Sequence, residues 1–169
     1  MKATLCPTAF DVLAPGSRVW VFAASRPFTA AERQNLDALV ERVLGKWDVK
    51  QPGMRGCHAF VEDRFLLVGA DESRETLDGC SVDAMMSWLM RFEREAGLRL
   101  VDRVIVHWRG ADGAVRSASR AEFAALVASG EVTPETHVFD TTLARVDDLR
   151  RGLFEQPMRS TWHGRAFAG

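Results

Sequence analysis

The stretch Asp78-Gly79-Cys80-Ser81-Val82-Asp83 lies between two patterns of different period. After it, Val82, Met85, Met86, Leu89 and Phe92 recur at 3- and 4-residue spacing and predict a helix from about Ser81 to Ala96, closed by Gly97. Before it, His58-Ala59-Phe60-Val61 and Arg64-Phe65-Leu66-Leu67-Val68-Gly69-Ala70 predict two strands joined at Glu62-Asp63, with a polar loop, Asp71 to Asp78, leading on. The stretch therefore joins a hairpin to the helix that covers its sheet. It sets a glycine and a thiol at a helix start, with Asp78 or Ser81 as the cap.

The first strand and helix are as clear. Arg18-Val19-Trp20-Val21-Phe22-Ala23 is apolar on both alternating faces and reads as a central, buried strand. Thr29-Ala30-Ala31-Glu32 matches a capping box, and Leu36, Leu39, Val40, Val43, Leu44 and Trp47 form one stripe of the helix behind it. Downstream, Val104-Ile105-Val106-His107-Trp108 predicts a strand. Gly110-Ala111-Asp112-Gly113 turns the chain into Ala114–Ser117. Ser119-Arg120-Ala121-Glu122 is a second capping box. His137–Asp140 reads as a short strand and about Leu143 to Arg151 as a last helix. The tail from Gly152 holds Phe154, Trp162 and Phe167 and should dock on the body.

Strand, helix, strand, strand, helix, strand over residues 18–108 is the order of a ferredoxin-like split βαβ sandwich, an α+β fold with an antiparallel sheet and helices on one face. Residues 109–169 would add a C-terminal α/β extension to the same single domain, over the open face of the sheet.

The composition fits that reading. The chain has 169 residues, 47% of them apolar and 27% charged, with a net charge of −1. No long single-sign run implies a general attraction to nucleic acid or anionic lipid. Lysine occurs only at Lys2, Lys46 and Lys50. Cys6, Cys57 and Cys80 are odd in number and widely spaced, against a disulfide framework or zinc knuckle, and fit a reducing cytoplasm. The irregular start, broken by Asp11 and Pro15, reads as no signal peptide, and no run approaches membrane-spanning length.

Gly79-Cys80-Ser81-Val82-Asp83, Leu100-Val101-Asp102-Arg103-Val104 and Trp162-His163-Gly164-Arg165, with Val138-Phe139-Asp140 between them, together resemble a family of small bacterial proteins that usually carries the label "ABC transporter ATPase". The residues contradict that label. A phosphate-cradling loop needs G-x-x-x-x-G-K-[ST], whereas Gly45-Lys46 closes a helix and is followed by Trp47. What the resemblance implies is a family, not an activity.

Cys80 is the first candidate for chemistry. Unpaired N–H groups at a helix start favour thiolate, while Asp78 and Asp83 oppose it. A thiol nucleophile needs a base held by a third group. His163, in a tail that must fold back, could serve, with Asp83 or Asp102 as the orienting acid. The plainer reading packs Cys80 at the helix start and uses Trp162 and His163 to anchor the tail. Arg103, Trp162 and Arg165 are candidate ligand contacts, although Asp102-Arg103 also reads as an ion pair. Trp20, Trp47 and Trp88 read as core, and Met85, Met86 and Met90 as core or the lining of a soft pocket. Cys57-His58 with Cys80 matches no standard zinc spacing, so neither a metal nor a cofactor is implied. Arg145, Arg150, Arg151, Arg159 and Arg165 bias the last third toward basic, with acids interleaved.

The expected function is a binding or interaction module for a small molecule or protein. Its site would lie between the helix start at Gly79–Asp83 and the Trp162–Arg165 tail. The rival is a thiol-dependent enzyme or redox protein using Cys80 with His163. Nucleic-acid binding through the C-terminal arginines is the weaker alternative.

Overall fold

The structure, a computed structural model, describes residues 7–167; Cys6 and the last two residues of the tail lie outside that range. β2 (Gly56–Val61) and β3 (Phe65–Ala70) form the predicted hairpin, with Gly56 opposite Ala70 and Val61 opposite Phe65. That register leaves Glu62, Asp63 and Arg64 as the connection, so Arg64 leaves the strand predicted to contain it. Glu62 and Asp63 both take positive φ, 56° and 51°. This left-handed geometry lets a tight connection follow the twist of its strands.

β1 (Arg18–Ala23) pairs antiparallel with the other edge of β3, giving the order β1-β3-β2. β3 rather than β1 is therefore central, although both are buried on both faces. α1 (Ala30–Lys50) starts at the predicted capping box: the Glu32 N–H donates to Thr29 Oγ1 at 3.2 Å, and the Thr29 N–H donates to Glu32 Oε2 at 2.9 Å. α2 (Gly79–Ala96) starts two residues earlier than predicted, because Asp78 is its cap and accepts from the Ser81 N–H at 2.8 Å. Gly97, at φ 65°, ends it. Both helices lie on one face of the sheet, where Trp20, Phe22, Leu66 and Val68 meet Leu36, Val40, Trp47, Met85 and Leu89.

The ferredoxin-like sheet stops there. β4 (Ile105–Arg109) does not join β1. It pairs with β5 (Val115–Ser119) and with β6 (His137–Phe139), and β6 pairs with β7 (Glu155–Pro157), making a second antiparallel sheet ordered β5-β4-β6-β7. The outer edge of β1 is already occupied. The Val19 N–H donates to Ala144 O at 3.0 Å, and Arg18 bridges Arg145. Past Gly97 the chain crosses the end of β1, where the Ser25 N–H donates to Arg99 O at 2.8 Å. The fold is thus α+β with two antiparallel sheets.

The second sheet covers the face of the first that α1 and α2 leave open. Val19, Val21, Phe65 and Leu67 meet Phe139 and Phe154, with Val146 and Leu149 of α4 (Val146–Arg150) and Phe10 and Leu13 of the arm closing the sides. The extension therefore shares its core with residues 18–108. On the far side of the second sheet lie α3 (Arg120–Ala128), opened by the Ser119–Glu122 capping box, and α5 (Trp162–Phe167). Val106, Trp108 and Val138 pack there against Phe123, Met158 and Phe167. The tail docks as predicted, by way of β7, a 3-10 turn and α5. Four layers result: α1 and α2, the first sheet, the second sheet, then α3 and α5. Strand alternation on β4 sends Val106 and Trp108 toward α3 and turns His107 inward, its ring 5.3 Å from Phe65.

Candidate functional site

Cys80 lies exposed in the first turn of α2. Asp78, one turn before Ser81, is fully engaged. Its Oδ1 accepts from Lys50 Nζ at 2.9 Å and from the Ser81 N–H, and its Oδ2 accepts from Ser81 Oγ at 3.0 Å. The hydrogen bond from Lys50 is the main reason the Asp78 carboxyl lies below its ordinary range, and the same bond raises the Lys50 ammonium. Lys50 also feels Cys80 electrostatically. Asp83 is exposed one turn further along the helix.

His163 is not beside Cys80. It belongs to α5, in the opposite outer layer, with both sheets between them. It is 2% exposed and stacks on Trp162 at 3.8 Å, within reach of Phe123 and Phe167. Thr161 Oγ1 donates its proton to Met158 O and so must accept from His163 Nδ1, at 3.0 Å, which fixes the tautomer. Burial lowers the His163 pKa to about 4, with Asp140 opposing and Arg120 assisting. This is an anchoring histidine. A Cys80–His163–Asp83 catalytic set is not assembled, because the tail docks on α3 and the second sheet rather than on α2. The concavity expected between Gly79–Asp83 and Trp162–Arg165 is absent for the same reason.

The remaining candidates also separate. Trp162 Nε1 donates to Asp140 Oδ1 at 3.3 Å, and Arg120 lies over its ring at 5.4 Å. Arg103 and Arg165 are exposed. Asp102 pairs with Arg99 at 3.1 Å, not with Arg103, and accepts from the Val104 N–H. His58 Nε2 lies 2.6 Å from Asp37 Oδ1. Among the described residues, no group of three or more His, Cys, Asp or Glu is placed to hold a metal ion. No helix among them is long and apolar enough to cross a membrane. Most C-terminal arginines serve the fold. Arg145 donates to Gly16 O, Arg150 to Phe10 O and Leu13 O, and Arg151 and Arg159 pair with Asp148 and Glu135.

The head of α2 faces a different site, a groove shared with α1. Val43, Lys46, Trp47, Lys50, Cys80, Ser81, Ala84 and Trp88 line a hollow of about 150 Å³. Trp88 also walls a second hollow of about 460 Å³, toward the C-terminal end of α2, with Arg42, Arg91, Arg94 and Glu95 around it. Lys46 Nζ lies 4.2 Å and Arg42 Cζ 5.7 Å from the centre of the Trp88 ring. Trp88 is thus half-buried in a groove wall rather than in the core. Arg42, Lys46 and Lys50 recur every four residues of α1, which puts all three on one face. That spacing was the available signal for the groove. Only the helix pairing shows that the stripe faces Trp88 and Cys80.

Compared with family models, curated proteins and solved structures, the chain shows no match.

Proposed function

We propose that this chain is a binding module for a small organic anion that carries a flat apolar ring, seated in the groove between α1 and α2. The observation that carries the reading is the composition of the groove. Its two hollows meet at Trp88 and are lined by Arg42, Lys46, Lys50, Arg91 and Arg94; Lys50 is paired with Asp78 and Arg91 with Glu95, and Arg42, Lys46 and Arg94 add net positive charge. Cations over an aromatic face supply charge, and Val43, Trp47 and Ala84 supply apolar contact. This is the mixture of a mostly apolar site with a few polar anchors that small-molecule pockets use. The thiol belongs to this groove as a wall residue, with Lys50 and no histidine beside it. In a reducing cytoplasm the Cys80 thiol would stay reduced.

The test is titration with 8-anilinonaphthalene-1-sulfonate, competed by aromatic carboxylates and by mononucleotides. Saturable binding should be lost in Lys46→Glu and in Trp88→Leu. Bound ligand should slow alkylation of Cys80, read on its peptide by mass spectrometry. Binding that survives both substitutions would sink the reading.

A further inference from the structure

The interface between the two sheets contains a buried cation without a counter-ion. Arg64 is 8% exposed. It pairs with no carboxylate among the described residues, and its Nη1 donates to Ser117 Oγ and toward Ser25 O at 3.5 Å. A guanidinium stays charged and offers five N–H donors in a planar fork. Leaving it buried and unpaired is costly, and evolved interiors rarely do so.

An unpartnered side chain lies beside it. His107, paired across the β4–β5 ladder with Ser117, is 1% exposed, and neither Nδ1 nor Nε2 has a hydrogen-bond partner. Burial, with Arg64 and then His163 nearby, lowers its pKa to about 3, so the ring is neutral and keeps one N–H donor. Phe65 of β3 meets its ring from the first sheet, Arg64 of the hairpin connection acts on it electrostatically, and His163 does so more weakly from the far side of the second sheet.

A way in exists. A crevice of about 260 Å³ opens at the rim of this interface, lined by Ser25, Arg99, Ile105, Ser117, Ser119 and Glu122 among others. Ser25 and Ser117, which hold Arg64, are part of its wall. Ile105 and Ser119, then His107 and Ser117, are successive cross-strand pairs on one face of the hairpin, so His107 is the next rung inward. At the mouth, the Glu122 carboxylate accepts from the Ser119 N–H at 2.9 Å, and Arg99, paired with Asp102, lines the wall.

We propose that this crevice is an oxyanion site, where a carboxylate or phosphate group enters past Ser25 and Arg99 and is held by the Arg64 fork and the N–H of His107. The site is separate from the α1–α2 groove, on the other side of the first sheet, and does not depend on it. An oxyanion there supplies the missing counter-charge and partners the histidine.

The experiment is a titration of the full chain with acetate and, separately, with inorganic phosphate, against chloride at matched ionic strength. The readouts are the imidazole nitrogen resonances of His107 and Tm. A saturable shift of the His107 resonances with a rise in Tm in one oxyanion arm supports the site, and the arm that responds names the source chemistry. Arg64→Met should keep the fold, since it removes an unpaired buried charge, and should weaken that oxyanion at least about tenfold. If Arg64→Met does not fold, the wild-type His107 resonances decide alone. His107 resonances indifferent to both oxyanions, or an equal response to chloride or in Arg64→Met, would overturn the proposal.

Discussion

Arg109 Nε donates to Glu155 Oε1 at 2.5 Å, and Arg109 Nη2 reaches Glu62 Oε1 at 2.8 Å. One guanidinium thus ties β4 to β7 within the second sheet and to the hairpin connection of the first. Glu155 is almost wholly buried, and His137 Nδ1 lies 3.4 Å from its carboxylate. Hydrogen bonding to Glu155 is the main cause that raises the Arg109 pKa, against the cost of burial. Glu155→Ala leaves that cation buried beside Phe139 without its main partner, and should lower stability by about 3–5 kcal/mol. Glu62→Ala removes only the more exposed end and should cost less than about 1 kcal/mol. Urea unfolding of the two variants checks the contrast, and equal losses would refute this account of the pair.

Two buried neutral histidines give the fold an acid limit. His107 and His163 titrate near 3 and 4 when folded, below the ordinary histidine value of 6.5. A depressed histidine pKa means the unfolded chain takes up the proton first. The stability this represents is complete above pH 6.5 and declines as pH falls toward 4 for His163 and 3 for His107. Each histidine should contribute a slope on the order of 1 kcal/mol per pH unit inside its window. His107→Leu should flatten the dependence of urea midpoint on pH between about 6 and 5. A slope unchanged from wild type would show that His107 is not buried neutral.

Gly164 lets α5 lie against the 3-10 turn before it. A Cβ there would stand 2.7 Å from Met158 O and 3.0 Å from Arg159 Cα, both backbone atoms that cannot rotate away. Gly164→Ala should therefore destabilise by about 1–3 kcal/mol, despite alanine's better helix propensity. Protection of the α5 amides in hydrogen exchange should fall with it. If the variant is as stable as wild type, α5 does not dock this closely.

The sequence carried the local structure well and the long-range pairing poorly. Thr29-Ala30-Ala31-Glu32 and Ser119-Arg120-Ala121-Glu122 each open a helix, because a capping box is satisfied within four residues. Gly97 ends α2 by the same kind of local logic. The partner of β4 was not legible. Residues 104–108 read the same beside β1 as beside β5, and the outcome depends on Ala144 and Arg145 reaching the β1 edge from far along the chain. The candidate site followed suit. Cys80 at a helix start was visible, whereas the four-residue spacing of Arg42, Lys46 and Lys50 acquires meaning only once α1 packs against α2. Arg64 and His107 carried no signal, since a charge in a hairpin connection and a histidine in a strand are ordinary until the sheets close over them.

The two layers that part Cys80 from His163 make a sharp prediction for the thiol. Exposed Cys80 should react with iodoacetamide in the native protein without unfolding, and Cys80→Ser should change stability by less than about 0.5 kcal/mol. His163→Phe, even if it loosens the tail, should leave the Cys80 rate unchanged, because no proton can pass between the two residues. Lys50→Gln should slow labelling about twofold. It removes an ammonium that acts on Cys80 electrostatically and leaves the Asp78 carboxylate uncompensated beside the thiol, an effect that surface screening keeps small. The rates are read on the Cys80 peptide by mass spectrometry, at matched pH and ionic strength. A rate that falls in His163→Phe and holds in Lys50→Gln would restore the histidine as the partner of the thiol and require a tail position other than the one α5 takes.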